Sequence, residues 1–196
     1  MDILFRAIPK HNFDPNKIYH GLQTRRVPSN VPYLIDNIWE LLRPTEAPNR
    51  RHSVYASPSP ELALNSASSG SNDRNDYLTC QVEIIGEIKL AHLNIEDAKF
   101  HQDIKKLSRL VPQLLHENFS ELPVEEKSRF ASLYLPVVSK EELLSTLDNT
   151  RSGEILKSLE ENSTFWSDTN FTLQDHKGEL FFELLDGAYY KLHPIS

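Results

Sequence analysis

Gly178-Glu179-Leu180-Phe181-Phe182-Glu183-Leu184-Leu185-Asp186-Gly187-Ala188-Tyr189-Tyr190-Lys191-Leu192-His193 decides the fold class. Two apolar, aromatic-rich runs, Glu179 to Leu185 and Ala188 to His193, flank Asp186-Gly187, the short-range signal of a type I′ hairpin. A strand pair is expected at this end of the chain.

Upstream of it the pattern turns helical. Leu107, Leu110, Val111, Leu114 and Leu115 form one apolar face, in which Pro112 predicts a kink or two shorter helices. Ser139 and Glu142 have the spacing of a capping box, which starts a helix at about Lys140. Tyr77 to Leu93 is β-rich, with Gly86 as a bend or bulge. Before it, Ser66 to Asn75 is a polar, mobile loop.

Nearer the start, His52-Ser53-Val54-Tyr55-Ala56 reads as a strand, and Ser59 caps a helix whose first residue is Pro60. Val31, Leu34, Ile35, Ile38, Leu41 and Leu42 follow helical spacing, with Asn30 as the N-cap and Pro32 in the first turn. Ile3 to Ile8, stopped by Pro9, and Lys17 to Gly21 read as strands. Strands and helices in separate runs, with no internal repeat, make an α+β domain.

The chain's 196 residues are 39% hydrophobic and 25% charged, which suits one globular domain spanning 1–196 and excludes general disorder. The single Cys80 cannot build an internal disulfide or a cysteine metal cage, so a reducing, cytoplasmic setting is expected. No targeting segment or membrane-spanning run is read in the sequence. The net charge of −7 opposes nonspecific attraction to phosphate polymers. It is unevenly spread: residues 1 to 60 carry 8 basic against 5 acidic side chains, and residues 61 to 196 carry 13 against 23. An anionic ligand is therefore expected to meet the first part, where Arg43 to Arg51 forms a basic loop.

Three separated segments bear on chemistry. His20 ends a strand beside Gly21, where backbone approaches a ligand closely. Tyr55 and Ser57 stand before a helix N-terminus, offering a ring and a hydroxyl. Glu179 opens the last strand pair after Gly178. Alone, these read as a surface histidine, a core tyrosine and a solvated carboxylate.

Their combination and order resemble the His-Tyr-Glu ADP-ribosyltransferases, the diphtheria-toxin-like family that includes the poly(ADP-ribose) polymerases. The resemblance rests on Ile18-Tyr19-His20-Gly21, on His52 to Ser57 and on Gly178 to Glu183, and runs from residue 4 to residue 193. It implies a split pair of mixed or antiparallel sheets with flanking helices, and an enzyme of the glycosyltransferase class. NAD is its substrate, cleaved at the nicotinamide–ribose bond, with ADP-ribose passed to a macromolecular acceptor, protein or nucleic acid.

The resemblance also implies roles. Tyr55 packs on nicotinamide, Gly21 backbone and the Ser57 hydroxyl bond its amide, and His20 bonds the adenosine ribose. Arg25 or Arg26 faces the pyrophosphate. Glu179 stabilises positive charge developing on the ribose, although Glu183 is an alternative for that role. The second aromatic the family carries on the helix after the tyrosine has no counterpart, since Asn65 and Ser66 stand there; Tyr77 or another loop aromatic is the substitute. A bacterial or phage toxin or defence enzyme, with an antitoxin or inhibitor protein as partner, fits such a small catalytic core.

Two other readings compete. Leu4-Phe5-Arg6 and Val54 to Leu64 also resemble RES-type NAD hydrolase toxins, but that family's acidic residue is missing around Asn65 and no Gly-Gly-Arg-Trp-Asn-like stretch is present. The other is a noncatalytic interaction module on the same fold. The eight histidines show no paired metal spacing, so no metal is expected. Six glycines, without a phosphate loop or nucleophile turn, leave no Rossmann-type fingerprint.

Overall fold

Leu4 and Ile8, on one face of the N-terminal strand, pack into an apolar core with Cys80, Val82, Tyr190 and Leu192. This spacing is what a strand with one face against a core requires. A computed structural model describes residues 3–21, 26–68, 73–147, 150–174 and 177–195. They fall into two units, one of residues 1–24, 45–97 and 169–196, the other of residues 25–44 and 98–168.

Among the described residues, the first unit holds eight strands in two antiparallel sheets. Strands β1 (Leu4–Pro9), β2 (Tyr19–His20), β4 (Tyr77–Ile85) and β8 (Tyr189–Pro194) form one sheet, in the order β1-β4-β8-β2. Strands β3 (Val54–Ala56), β5 (Ile88–Leu93), β6 (Thr169–Asn170) and β7 (Glu179–Leu184) form the other, in the order β3-β7-β5-β6. A bridge between Phe5 and Ser57, with backbone bonds of 2.9 and 2.8 Å, links the sheets. One shared core fills the space between them: Leu4, Cys80, Val82, Tyr190 and Leu192 from the first, Val54, Ala56, Leu180 and Phe182 from the second. The chain is thus α+β with two antiparallel sheets and flanking helices.

Helix α2 (Pro60–Ala67) packs on β1 and β4 and begins as its sequence demands, with Ser59 Oγ accepting the Leu62 N–H at 3.3 Å. Gly86, at φ +105°, marks the bend between β4 and β5, where the chain passes from one sheet to the other. Of the polar loop expected over Ser66 to Asn75, residues 66 and 67 belong to α2, Arg74 to Asp76 form a short 3-10 helix, and 69–72 lie outside the described residues.

The expected terminal hairpin is absent, because β7 and β8 belong to different sheets. The Ala188 N–H bonds Leu185 O at 2.9 Å around Asp186-Gly187, and only Gly187 has positive φ, +78°. That is the pattern of a type II turn, which does not match the twist of a paired hairpin and sends the chain across instead.

The second unit is helical. Helix α1 (Tyr33–Leu41) is buried on every side, including Asp36, Asn37 and Glu40, rather than along one stripe. Its N-cap position is Pro32, with no side-chain cap, so Asn30 does not cap it. Helix α3 (Gln102–Phe119), a 3-10 segment (Arg129–Tyr134) and α5 (Lys140–Thr146) pack on it, while α4 (Val124–Ser128) packs on the 3-10 segment and α6 (Thr150–Asn162) on α3.

Helix α3 runs unbroken through Pro112. Both Pro112 and Ser108, whose carbonyl loses its i+4 donor, are exposed, so the missing bond falls on the helix's outer face. The capping box of α5 forms as expected, with Ser139 N–H to Glu142 Oε2 at 2.8 Å and Glu142 N–H to Ser139 Oγ at 3.2 Å. Trp39 stacks on Phe165 at 3.9 Å, and buried Asp103 accepts from Trp39 Nε1, Ser163 Oγ and the Thr164 and Phe165 N–H groups. These partners satisfy a charge that burial otherwise makes costly.

Candidate functional site

Tyr55 lies directly opposite Phe181 across the β3–β7 ladder. Cross-strand partners share a face, and alternate residues along a strand return to it, so Tyr55, Glu179, Phe181 and Glu183 stand on one side of the second sheet. Their neighbours Val54, Ala56, Leu180 and Phe182 point the other way, into the core. Tyr55 is half-buried, its ring tilted 31° against Phe181 at 5.7 Å.

Glu179 is half-buried overall, with Oε1 fully enclosed. Its backbone is fixed on several sides. The Glu179 N–H donates to Ile95 O at 2.7 Å. Gly178 before it has φ +99°, and a Cβ there would meet Leu93 O at 2.0 Å. His92, 1% exposed on the core side of β5, closes the approach: Nδ1 accepts the Gln174 N–H at 3.2 Å, so Nε2 carries the proton and donates to Lys177 O at 2.6 Å.

The loop before β3 folds over this face. The Asn49 N–H donates to Glu183 Oε2 at 2.8 Å, and Lys89, the cross-strand partner of Glu183, donates to Thr45 O at 2.5 Å. Asn49 also accepts the Arg51 N–H on Oδ1 at 3.0 Å and the Ser53 hydroxyl on its carbonyl at 2.7 Å. Glu183 is therefore a fastening for the loop. Arg50 and Arg51 are 6% and 3% exposed, and the Arg50 guanidinium lies 5.8 Å over the Phe181 ring. In the other unit, Arg43 is forked onto Glu40 by two bonds of 3.1 Å. This corrects the reading of Arg43 to Arg51 as a basic surface for an anionic partner.

The remaining expected site residues are dispersed. Ser57 is buried, and its backbone makes the bridge to Phe5 at the junction of the sheets. His20 is exposed on β2, opposite Tyr189 with ring centroids 6.1 Å apart. Its neighbour Tyr19 faces the core and stacks on Tyr190 at 4.8 Å. Gly21 lies beside Leu184, which a Cβ added at Gly21 would meet at 3.7 Å, at the far end of β7 from Glu179. Five residue steps along the strand separate those ends, about 16 Å at ~3.3 Å per step. Gly21 is therefore not beside Glu179, which corrects the expectation that its backbone meets the same nicotinamide. Tyr77 opens β4 opposite Pro9. Arg25 lies outside the described residues, and Arg26 is exposed in the second unit.

On the core side of the first sheet, Arg6 donates to the Tyr190 hydroxyl, and its guanidinium lies 5.7 Å from the Tyr190 ring centre. Burial raises the Tyr190 phenol above its ordinary value, while Arg6 pulls it down. Burial likewise raises the Tyr19 phenol and the Cys80 thiol against the same arginine.

Sequence reasoning missed Asn49, Arg50, His92 and the role of Glu183. For Arg50 no local signal existed, since its burial rests on Phe181, far along the chain. Among the described residues no group of three or more His, Cys, Asp or Glu side chains is poised to hold a metal, and no helix is long and apolar enough to cross a membrane. No family model, no curated protein and no solved structure matches the chain.

Proposed function

We propose that the protein cleaves NAD at the nicotinamide–ribose bond and transfers ADP-ribose to a macromolecular acceptor. The observation that carries this reading is the pairing of β3 with β7, which sets Tyr55 and a partly enclosed Glu179 on one face at diagonal positions. A ring suited to packing on nicotinamide and a carboxylate suited to the adjoining ribose are what such a cleavage requires.

In this reading the C–N bond breaks with its electron pair retained by nicotinamide, and Glu179 faces the cation left at the ribose. An acceptor oxygen, nitrogen or carboxylate then bonds that carbon, and any proton it carries passes to Glu179 or to water. Glu179 contributes mainly in the transition state, so its loss lowers turnover more than NAD affinity. His20 and Gly21, beside Tyr189 and Leu184, serve the adenosine half, away from the bond that breaks.

The test is incubation of wild type, Glu179→Gln and Glu183→Gln with adenylate-labelled NAD and crude lysate, followed by protease and nuclease digestion. Expected is label on a macromolecule with wild type, and at least a hundredfold slower labelling with Glu179→Gln at nearly unchanged NAD affinity. Free ADP-ribose without labelled macromolecule assigns the chain to NAD hydrolysis instead. Intact NAD after exhaustive incubation with wild type overturns the proposal and leaves the interaction module.

A further inference from the structure

Strand β7 presents Glu179, Phe181 and Glu183 on one face, so two carboxylates bracket one ring at about 7 Å on either side. The Arg50 guanidinium lies over that ring, and the side chain is 6% exposed. Arginine keeps its charge in any such setting, and a charge out of water needs a counter-charge within reach. Glu183 is already drawn toward the loop by the Asn49 N–H, the residue before Arg50. Glu179 carries its enclosed Oε1 on the opposite flank of the same ring.

We infer that Arg50 is the positioning residue of Glu179: from above Phe181 it holds the carboxylate ionised and turned toward the face that Tyr55 shares. The inference builds on the assignment of Glu179 as the reacting carboxylate. A carboxylate half enclosed by protein tends toward its neutral form, in which it cannot stabilise a cation on a ribose. A guanidinium fixed over the neighbouring ring reverses that tendency by its charge. Strand register sets three other titratable groups on this face, Glu183, Tyr55 and Lys89. Lys89 is drawn toward Thr45 and Glu183, at the far end of the row from Glu179.

The test is a carbon-13 NMR titration of the full chain labelled at glutamate side-chain carboxyls, in wild type, Arg50→Gln and Arg50→Lys, with Glu179→Gln identifying the resonance. Arg50→Gln is expected to raise the Glu179 midpoint by at least one pH unit, and Arg50→Lys to recover half or more of that shift. The acid limb of NAD turnover should move by the same amount, with KM changed less than threefold. An unmoved Glu179 midpoint in folded Arg50→Gln overturns the inference. If Arg50→Gln does not fold, the wild-type midpoint decides: below the ordinary glutamate value of about 4.3 it supports the inference, and at or above it the inference falls. A moved midpoint in a chain whose wild type leaves NAD intact upholds the pairing and removes the enzymatic reading, so the two fail separately.

Discussion

Gly178 is the most constrained residue near the candidate site. At φ +99° an L side chain is strained, and a Cβ would stand 2.0 Å from the Leu93 carbonyl oxygen, a backbone atom that has nowhere to move within its ladder. Gly187, at φ +78°, faces open space. Urea unfolding should therefore separate the two alanine variants: Gly178→Ala is expected to lose about 3 kcal/mol or more, and Gly187→Ala about 1 kcal/mol. Equal losses would contradict the steric account. The helix cap at Ser59 and the strand start at Glu179 were legible in the sequence, because each depends on a few neighbours along the chain. Arg50 was not, since its burial depends on Phe181, some 130 residues away, and no local pattern separates a solvated arginine from one sunk onto a ring.

At the level of elements, local chemistry and long-range pairing parted company at Asp186-Gly187. The dipeptide does make a tight turn, as its composition demands, but the strands on either side pair with β4 and β2 and with β3 and β5. Turn residues specify the turn; partner strands are specified by which faces are apolar, and two sheets sharing one core offer more than one solution. Helix caps, being local, were read from sequence more reliably. Ser139→Ala should cost about 1 kcal/mol in thermal or urea unfolding, because one helix N–H loses its acceptor and Glu142 loses its hydroxyl partner. Pro112→Ala should instead stabilise by about 1 kcal/mol or more, restoring a helical hydrogen bond on an exposed surface. A destabilised Pro112→Ala would show that the ring has a packing role.

Across the whole molecule, the shared core of the sheets carries an alkaline limit on stability. Tyr190, Tyr19 and Cys80 all hold their protons more tightly folded than unfolded, chiefly through burial. Their contribution is complete below the unfolded values, about 8.5 for the thiol and about 10 for the phenols, and is lost as pH climbs through the higher folded values. Unfolding midpoints should thus fall with rising pH above about 9, and Tyr190→Phe should flatten that fall; an unchanged slope would deny the phenol its share. The overall class, strands and helices in separate runs, was visible from periodicity. The split into two units was not, because 25–44 joins 98–168 only through contacts distant in sequence. Proton NMR of NAD mixed with the full chain reads directly whether the face that joins Tyr55 to Glu179 splits NAD. Free nicotinamide should accumulate with wild type and at least a hundredfold more slowly with Glu179→Gln; nicotinamide released at equal rates by both would contradict the account.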